Sequence, residues 1–357
     1  MKLNLNKTIA LPYGLLSLIV IFLLLWQVPW CIAFINGKAS HNIFTLYSSM
    51  VGEFISLDNT AEEGLIRYDE SGHRYTDAEA DSILPFFYYR QLLSDQRMPD
   101  SVCGYAIDIH AMQMATINWR MSASDVNAIA VPLYPLLESL PKRVDLTMPE
   151  DVFRCTDHGL EFVIMATNSV NEAKSRLFTQ ALIQKGFSFP VQLASGNPTT
   201  RKDYDEGYLL LDAKGQLFHL KMTAGRPYVK AINTVSESNP SQGLNLKHIF
   251  ATEFKGRQIR GFLTDAEMHM YALLSDYTIR PLEGVSYNPE KERCTLFGNM
   301  LDWTVRISGD EGDRYYAIES VDLSLRQIRQ MNRKVQQASF WGLHFTDYND
   351  SWVLPRF

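Results

Sequence analysis

The 357-residue sequence predicts a mainly β domain, propeller-like or a meandering sheet, outside the cytoplasm, with a small helical insertion and one transmembrane helix ahead of it. Three observations carry that reading. Short apolar runs punctuated by Gly, Asn, Asp or Pro fill the chain after Pro149. Strands spaced in this way suit a sandwich, barrel or propeller better than βαβ units. One of these runs recurs, and a long uncharged run stands at the N-terminus.

That uncharged run, "LPYGLLSLIVIFLLLWQVPWCIAFI", covers Leu11–Ile35. About 20 apolar residues span a bilayer as a helix, and Trp26 and Trp30 suit an interfacial belt. Residues 1–10, with Lys2 and Lys7, form a short tail that the positive-inside tendency leaves in the cytoplasm. The main domain is then periplasmic, held by a single pass in the inner membrane. Small residues at Gly37 and Ala39 keep a cleaved signal peptide open, but the apolar run exceeds the roughly 7–15 residues of a signal core.

Residues 40–150 form a mixed part. "LIRYDESGHRYT" predicts two short strands about a Glu-Ser-Gly turn, with Gly72 supplying positive φ. Thr76 caps "DAEADSILPFFYYRQLL", and Asp77 and Glu79 sit in its first turn. Pro85 breaks that pattern, so a short helix and then a second one carrying Leu92 are expected near 76–95. The prolines at 132, 135, 141 and 149 leave extended or turn structure from Asn118 on.

Residues 151–322 hold the strands "LEFVIMAT", "GYLLLD", "QLFHLKM", "IRGFLT", "MHMYALL", "CTLFG", "DWTVRIS" and "RYYAIESV". Gly207–Leu220 resembles Gly261–Leu273: Asp212 stands six residues before Phe218, and Asp265 six before Tyr271. Leu296–Ile307 is a fainter third copy. The offset is near the length of a propeller blade, and Asp212 and Gly215 are assigned to a turn. "GNPTTRKDYDEG" (Gly196–Gly207) does not recur, and its Arg201, Lys202, Asp203, Asp205 and Glu206 are candidate partner-binding residues on a loop.

Residues 323–357 close the chain. Leu325, Ile328, Met331 and Val335 fall on one stripe, which predicts an amphipathic helix over Leu323–Ala338 with Arg326, Arg329 and Arg333 as basic contacts. The aromatic terminal run adds Trp341 and Trp352 as partner-binding candidates.

Charge and motifs narrow the function. A net charge of −6 argues against nucleic acid, which recruits clustered cations. GxSxG, Walker A, GxGxxG and HExxH are absent from the sequence, so the reading leans away from an enzyme and no cofactor is implied. A glycan-acting hydrolase remains as an alternative through Asp203, Asp205, Glu206, Glu253 and Glu267. Copper handling is a further alternative. "HAMQM" puts His110, Met112 and Met114 on one face if extended, whereas His269 opposes Met268 and Met270 in a strand. Cys103, Cys155 and Cys294 allow at most one intramolecular bridge outside the apolar run.

"FVIMATNSVNEAKSRLFTQALIQKGFSFP", "GNPTTRKDYDEGYLLLDAKGQLFHLK" and "PLYPLLES" resemble an uncharacterised family of Bacteroidetes proteins. That family has one N-terminal membrane segment and a domain of unknown function, often encoded beside an ABC transporter ATPase and permease. The resemblance implies an accessory or binding subunit with a permease or other inner-membrane partner, and brings no catalytic residues.

Overall fold

The computed structural model describes residues 5–36, 43–60, 63–236, 239–332, 338–340, 343–345 and 355–356. It divides into two units: Met1–Phe44 with Ser56–Arg67 and Asn332–Phe357, and Thr45–Ile55 with Tyr68–Met331.

In the first unit, α1 runs over Leu5–Asn36. It brackets the expected apolar segment. Its described side chains, residues 12–28 and Cys31, are exposed. Among the described residues no helix is long and apolar enough to cross a membrane. Strands β1 (Phe44–Ser48), β2 (Glu53–Thr60) and β3 (Gly64–Tyr68) form a three-stranded sheet, and the division of the chain into units falls within each of the three, leaving Thr45–Ile55 and Tyr68 in the second unit.

The second unit opens with the helical insertion. Thr76 and Glu79 make a reciprocal capping box at the start of α2 (Asp77–Ile83), which ends before Pro85, and α3 (Tyr89–Ser94) follows with Leu92 buried. Both helices lie where Thr76 and Pro85 placed them. Then come a small hairpin of β4 (Ser101–Val102) and β5 (Tyr105–Ala106), α4 (Ile109–Ala115), β6 (Ile117–Met121) and α5 (Ala123–Val126).

Four further sheets follow. β7 (Asp151–Cys155), β8 (Leu160–Ile164) and β9 (Ser169–Val170) form the first. Helix α6 (Glu172–Gln184), capped by Asn171, lies beside it. The strand pattern expected after Pro149 did not include this helix, although Phe178 and Leu182 stand one turn apart behind an Asn-Glu start. Ser175 Oγ accepts from Phe162 N and Thr179 Oγ1 from Leu160 N, each at 2.9 Å. Helix hydroxyls thus satisfy strand N–H groups that another strand would otherwise take.

The second sheet is β10 (Leu193–Gly196), β11 (Tyr208–Leu211), β12 (Leu217–Thr223) and β13 (Arg226–Ile232), in that order. A short pair, β14 (Val235–Ser236) and β15 (Asn239–Gly243), leads to the third sheet. That sheet orders β16 (Leu246–Ala251), β17 (Ile259–Asp265), β18 (His269–Leu274) and β19 (Ile279–Ser286). The fourth runs β23 (Leu325–Asn332), β22 (Gly312–Glu319), β21 (Asp302–Gly309), β20 (Arg293–Gly298) and then β6.

Side-chain alternation explains why these sheets stack in chain order. Leu210 and Phe218, paired across β11 and β12, join Phe153, Phe162 and Phe178 on one side. Their neighbours Leu209, Leu211 and Leu217 turn the other way, onto Leu246, Leu263 and Tyr271 of the third sheet. That sheet in turn presents Phe262 and Met270 to Trp119, Leu296 and Val305 of the fourth. Tyr316 belongs to that layer, while Tyr315 faces Tyr47 and Phe54 of β1 and β2. Each central sheet therefore buries both faces, which is why its strands read as near-continuous apolar runs rather than alternating ones. This is blade-like packing.

The predicted helix over Leu323–Ala338 is overturned, since Leu325–Asn332 is a strand. Leu325, Gln327, Arg329 and Met331 are half-buried and alternate with exposed Arg326, Ile328, Gln330 and Asn332. The spacing of Leu325, Ile328 and Met331 suits a helix, but the edge of β22 offers hydrogen bonds along its length, and the tertiary ladder overrides local periodicity. Ile328 is left outside.

Candidate functional site

Two places in the second unit gather polar chemistry, and the first lies at the unrepeated loop. Lys202 Nζ donates to Asp205 Oδ1 and Glu253 Oε1, each at 2.7 Å, and to Asn197 O at 2.6 Å. The Lys202 side chain is 7% exposed and the two carboxylates 3%. Glu253 also accepts from Glu206 N and Asn197 Nδ2, each at 2.8 Å, while Asp205 Oδ2 takes Gly207 N and Ser139 Oγ at 3.0 Å. Burial outweighs these partners at Glu253 and raises its pKa.

A second set adjoins the first through Glu206. Its Oε2 accepts from Arg260 Nη1 at 2.6 Å and from Lys221 Nζ at 3.4 Å. Arg260 also lies over the Tyr277 ring, 4.5 Å from its centroid, and donates to Ser275 O. His219, 1% exposed, bonds the Glu206 carbonyl through Nε2 and Tyr277 Oη through Nδ1 at 2.9 Å. Burial depresses its pKa to about 4, so the ring is neutral. Gly207 holds the turn at φ +67°, where a Cβ would run into Leu220 O.

These contacts tie the second sheet to the third. Of the loop's candidate residues, Lys202, Asp205 and Glu206 are committed to internal ion pairs, and Arg201 and Asp203 face solvent. Glu267 is also exposed, far from any such partner set except His269, 3.7 Å away. The sequence showed a dense run of charge but not that its members face Glu253 and Arg260 some fifty positions on.

The second place is a cleft of about 660 Å³. Its walls come from the turn after β1, the α2–α3 linker, the α4–β6 junction, the segment after β16 and the β20–β21 turn. Leu84, Pro85, Phe86, Met114, Phe254 and Phe297 make it mainly apolar. Met50 and Phe87 also line it and stay half-exposed. Asp302 lies in the lining, 2% exposed, accepting from Ser49 Oγ and from Asn299 Nδ2 at 3.0 Å. Burial raises its pKa above the usual carboxylate range.

Arg326, an expected partner contact, instead donates to Ser49 Oγ at 3.1 Å and to Glu319 at 3.3 Å, so it buttresses this corner. Arg329 Nε stands 3.9 Å from Glu70. Arg333, Trp341 and Trp352 lie outside the described residues.

The face-sharing expected of His110, Met112 and Met114 is corrected by α4: in a helix Met112 points away from His110 and Met114, and it is buried while His110 is exposed. Among the described residues no group of three or more His, Cys, Asp and Glu is placed to hold a metal ion. The four cysteines are free.

The likenesses to solved structures include two of low score. One is to PorZ, an essential bacterial surface component of the type-IX secretion system of Porphyromonas gingivalis, at 11% identity and a TM-score of 0.26. It covers 90% of this chain and 32% of that one, so the chain spans about a third of that protein's length. The other is to the Cps50 (Swd1) β-propeller domain of Myceliophteria thermophila, at 8% identity and a TM-score of 0.27, over 87% of this chain and 93% of that one. No curated protein matches the sequence. The model of a domain of unknown function, DUF4857, matches residues 44–318, and the chain belongs to that family.

Proposed function

We propose that the chain is a single-pass, membrane-anchored binding subunit whose stacked-sheet domain stands in the periplasm and serves an ABC-type transport system. The cleft carries the binding half of this reading. Loops from separate rigid sheets and the helical insertion converge on one mainly apolar hollow of a size suited to a ligand or a partner side-chain cluster.

Support for the anchor comes from the sequence: the uncharged run Leu11–Ile35 exceeds the roughly 20 apolar residues that span a bilayer. No Asp, Glu, Lys, Arg or His lies between Lys7 and Lys38. The resemblance to Bacteroidetes proteins encoded beside transporter genes supplies the partner, a permease. Tethering raises the effective concentration toward such a neighbour, so a weak interface suffices.

The test has two parts. Protease added to spheroplasts digests the chain beyond residue 42, and intact cells protect it; digestion only after lysis reverses the orientation. Affinity purification of the full chain from gently solubilised membranes recovers a permease, and exposed Arg201→Glu lowers that yield. Recovery of the chain alone under every mild detergent rejects the subunit reading.

A further inference from the structure

We infer that the cleft binds an amphipathic anion: one long alkyl chain carrying an acidic head group. This deepens the binding-subunit reading and rests on it.

Arg90 and Lys255 both line the cleft and both are exposed. Arg90 donates only to the neighbouring Tyr89 hydroxyl, at 3.2 Å, and among the described residues neither cation has a carboxylate partner. The two acids that line the same space are already answered from within the fold. Glu253 is held by Lys202, Glu206 N and Asn197. Asp302 is held by Ser49 and Asn299, and sits deep in the second unit. The charge left to meet a ligand is therefore positive.

The walls supply the other half. Phe86, Phe254 and Phe297 give rigid apolar surface, and Met50 and Met114 give thioether chains that adapt to a flexible tail. The half-exposure of Met50 and Phe87 is apolar area that a bound chain would cover. About 660 Å³ falls within the range of sites that take small molecules, roughly 300–1,000 Å³. Apolar depth with unpaired cations fits neither a sugar nor a bare inorganic anion, but it fits an acid with a tail.

The experiment uses the full chain held in amphipol and the probe 11-(dansylamino)undecanoic acid, read by its fluorescence. Saturable binding is expected, displaced by dodecanoate or by dodecyl phosphate, at least ten-fold more weakly by dodecanol, and not by acetate. The stronger of the two charged competitors tells a fatty-acid source from a phospholipid-type head. Met114→Trp, which fills the hollow, defines the background from the amphipol and abolishes the saturable part. Arg90→Glu with Lys255→Glu, at exposed positions, lowers affinity for the charged competitors ten-fold or more and leaves dodecanol unchanged.

Absence of saturable signal above the Met114→Trp background overturns the proposal. So does equal affinity for dodecanol and dodecanoate that ignores the charge reversal. Permease recovery is read on the same variants: lost probe binding with the permease retained rejects the ligand alone, whereas probe binding without any permease rejects the subunit reading.

Discussion

Asp265 and Tyr271 close the β17–β18 hairpin together: the tyrosine hydroxyl donates to Asp265 Oδ2 at 2.8 Å, and Oδ1 accepts Glu267 N and His269 N at 2.9 Å. The same device recurs at Asp69, whose Oδ1 takes Ser71 N and His73 N at 2.9 Å and whose Oδ2 takes Tyr75 Oη at 2.9 Å. At Asp212 the backbone half is kept, with Lys214 N and Gln216 N at 2.8 Å. Phe218 there has no hydroxyl, and Oδ2 accepts Ser188 N instead at 3.0 Å. Burial pushes the Asp265 carboxyl up, but its donors outweigh burial and hold it below the ordinary range.

Tyr271→Phe therefore removes a charge-assisted hydrogen bond and costs about 1.5–3 kcal/mol. Asp265→Ala costs more, because two backbone N–H groups lose their acceptor as well. A double-mutant cycle by urea unfolding checks both values. A Tyr271→Phe protein indistinguishable from wild type would show the hydroxyl to be idle.

Phe218 tests the stacking itself. It is 1% exposed, 4.9 Å between ring centroids from Phe187, and lies where the first and second sheets meet. Phe218→Ala leaves a cavity at that junction and costs about 3–5 kcal/mol. A melting temperature equal to wild type would refute the buried-junction role.

Lys202 separates structural charge from surface charge within one loop. Lys202→Met leaves Asp205 and Glu253 buried without their cation and destabilises by about 3–5 kcal/mol. Exposed Arg201→Ala changes stability by less than about 0.5 kcal/mol. Replacing all three members, Lys202→Met with Asp205→Asn and Glu253→Gln, recovers much of the loss. Denaturant midpoints for the four proteins decide it, and a mild Lys202→Met would mean the triad is not what joins the sheets.

The sequence disclosed what repeats locally and missed what is joined at long range. Strands β11, β12, β17, β18, β20, β21 and β22, the Thr76 cap and the Asp212 turn were legible, since each depends on neighbours within a few positions, whereas β13, β16 and β19 between them were not read. A better third copy of the turn is also present, as "DESGHRY" at 69–75, but it lies outside the strand-rich region after Pro149. The edge strand at Leu325 was unreadable because β22 decides it, and its three-residue apolar spacing mimics a helix. The cleft was unreadable for the same reason: Arg90 and Lys255 stand far apart in sequence, and only the fold brings them to one hollow.

His219 sets the expected acid limit of the fold. Its side chain faces the Glu206 carboxylate, 3.6 Å from Nε2, with Lys221 and Arg260 on the same carboxylate and Tyr277 on Nδ1. Burial dominates and brings its pKa down to about 4, against an ordinary histidine value of about 6.5. As pH falls from about 6.5 toward 4 the unfolded chain takes up a proton that the folded chain refuses, so stability present above 6.5 is lost through that window. At 1.36 kcal/mol per unit the loss is at most about 3 kcal/mol. His219→Gln keeps an amide near both partners, titrates nowhere in this range, and flattens the curve. Urea unfolding of both proteins at intervals between pH 7.5 and 4 measures the difference, and parallel slopes for the two would mean that His219 takes up its proton at the same pH in the folded and the unfolded chain.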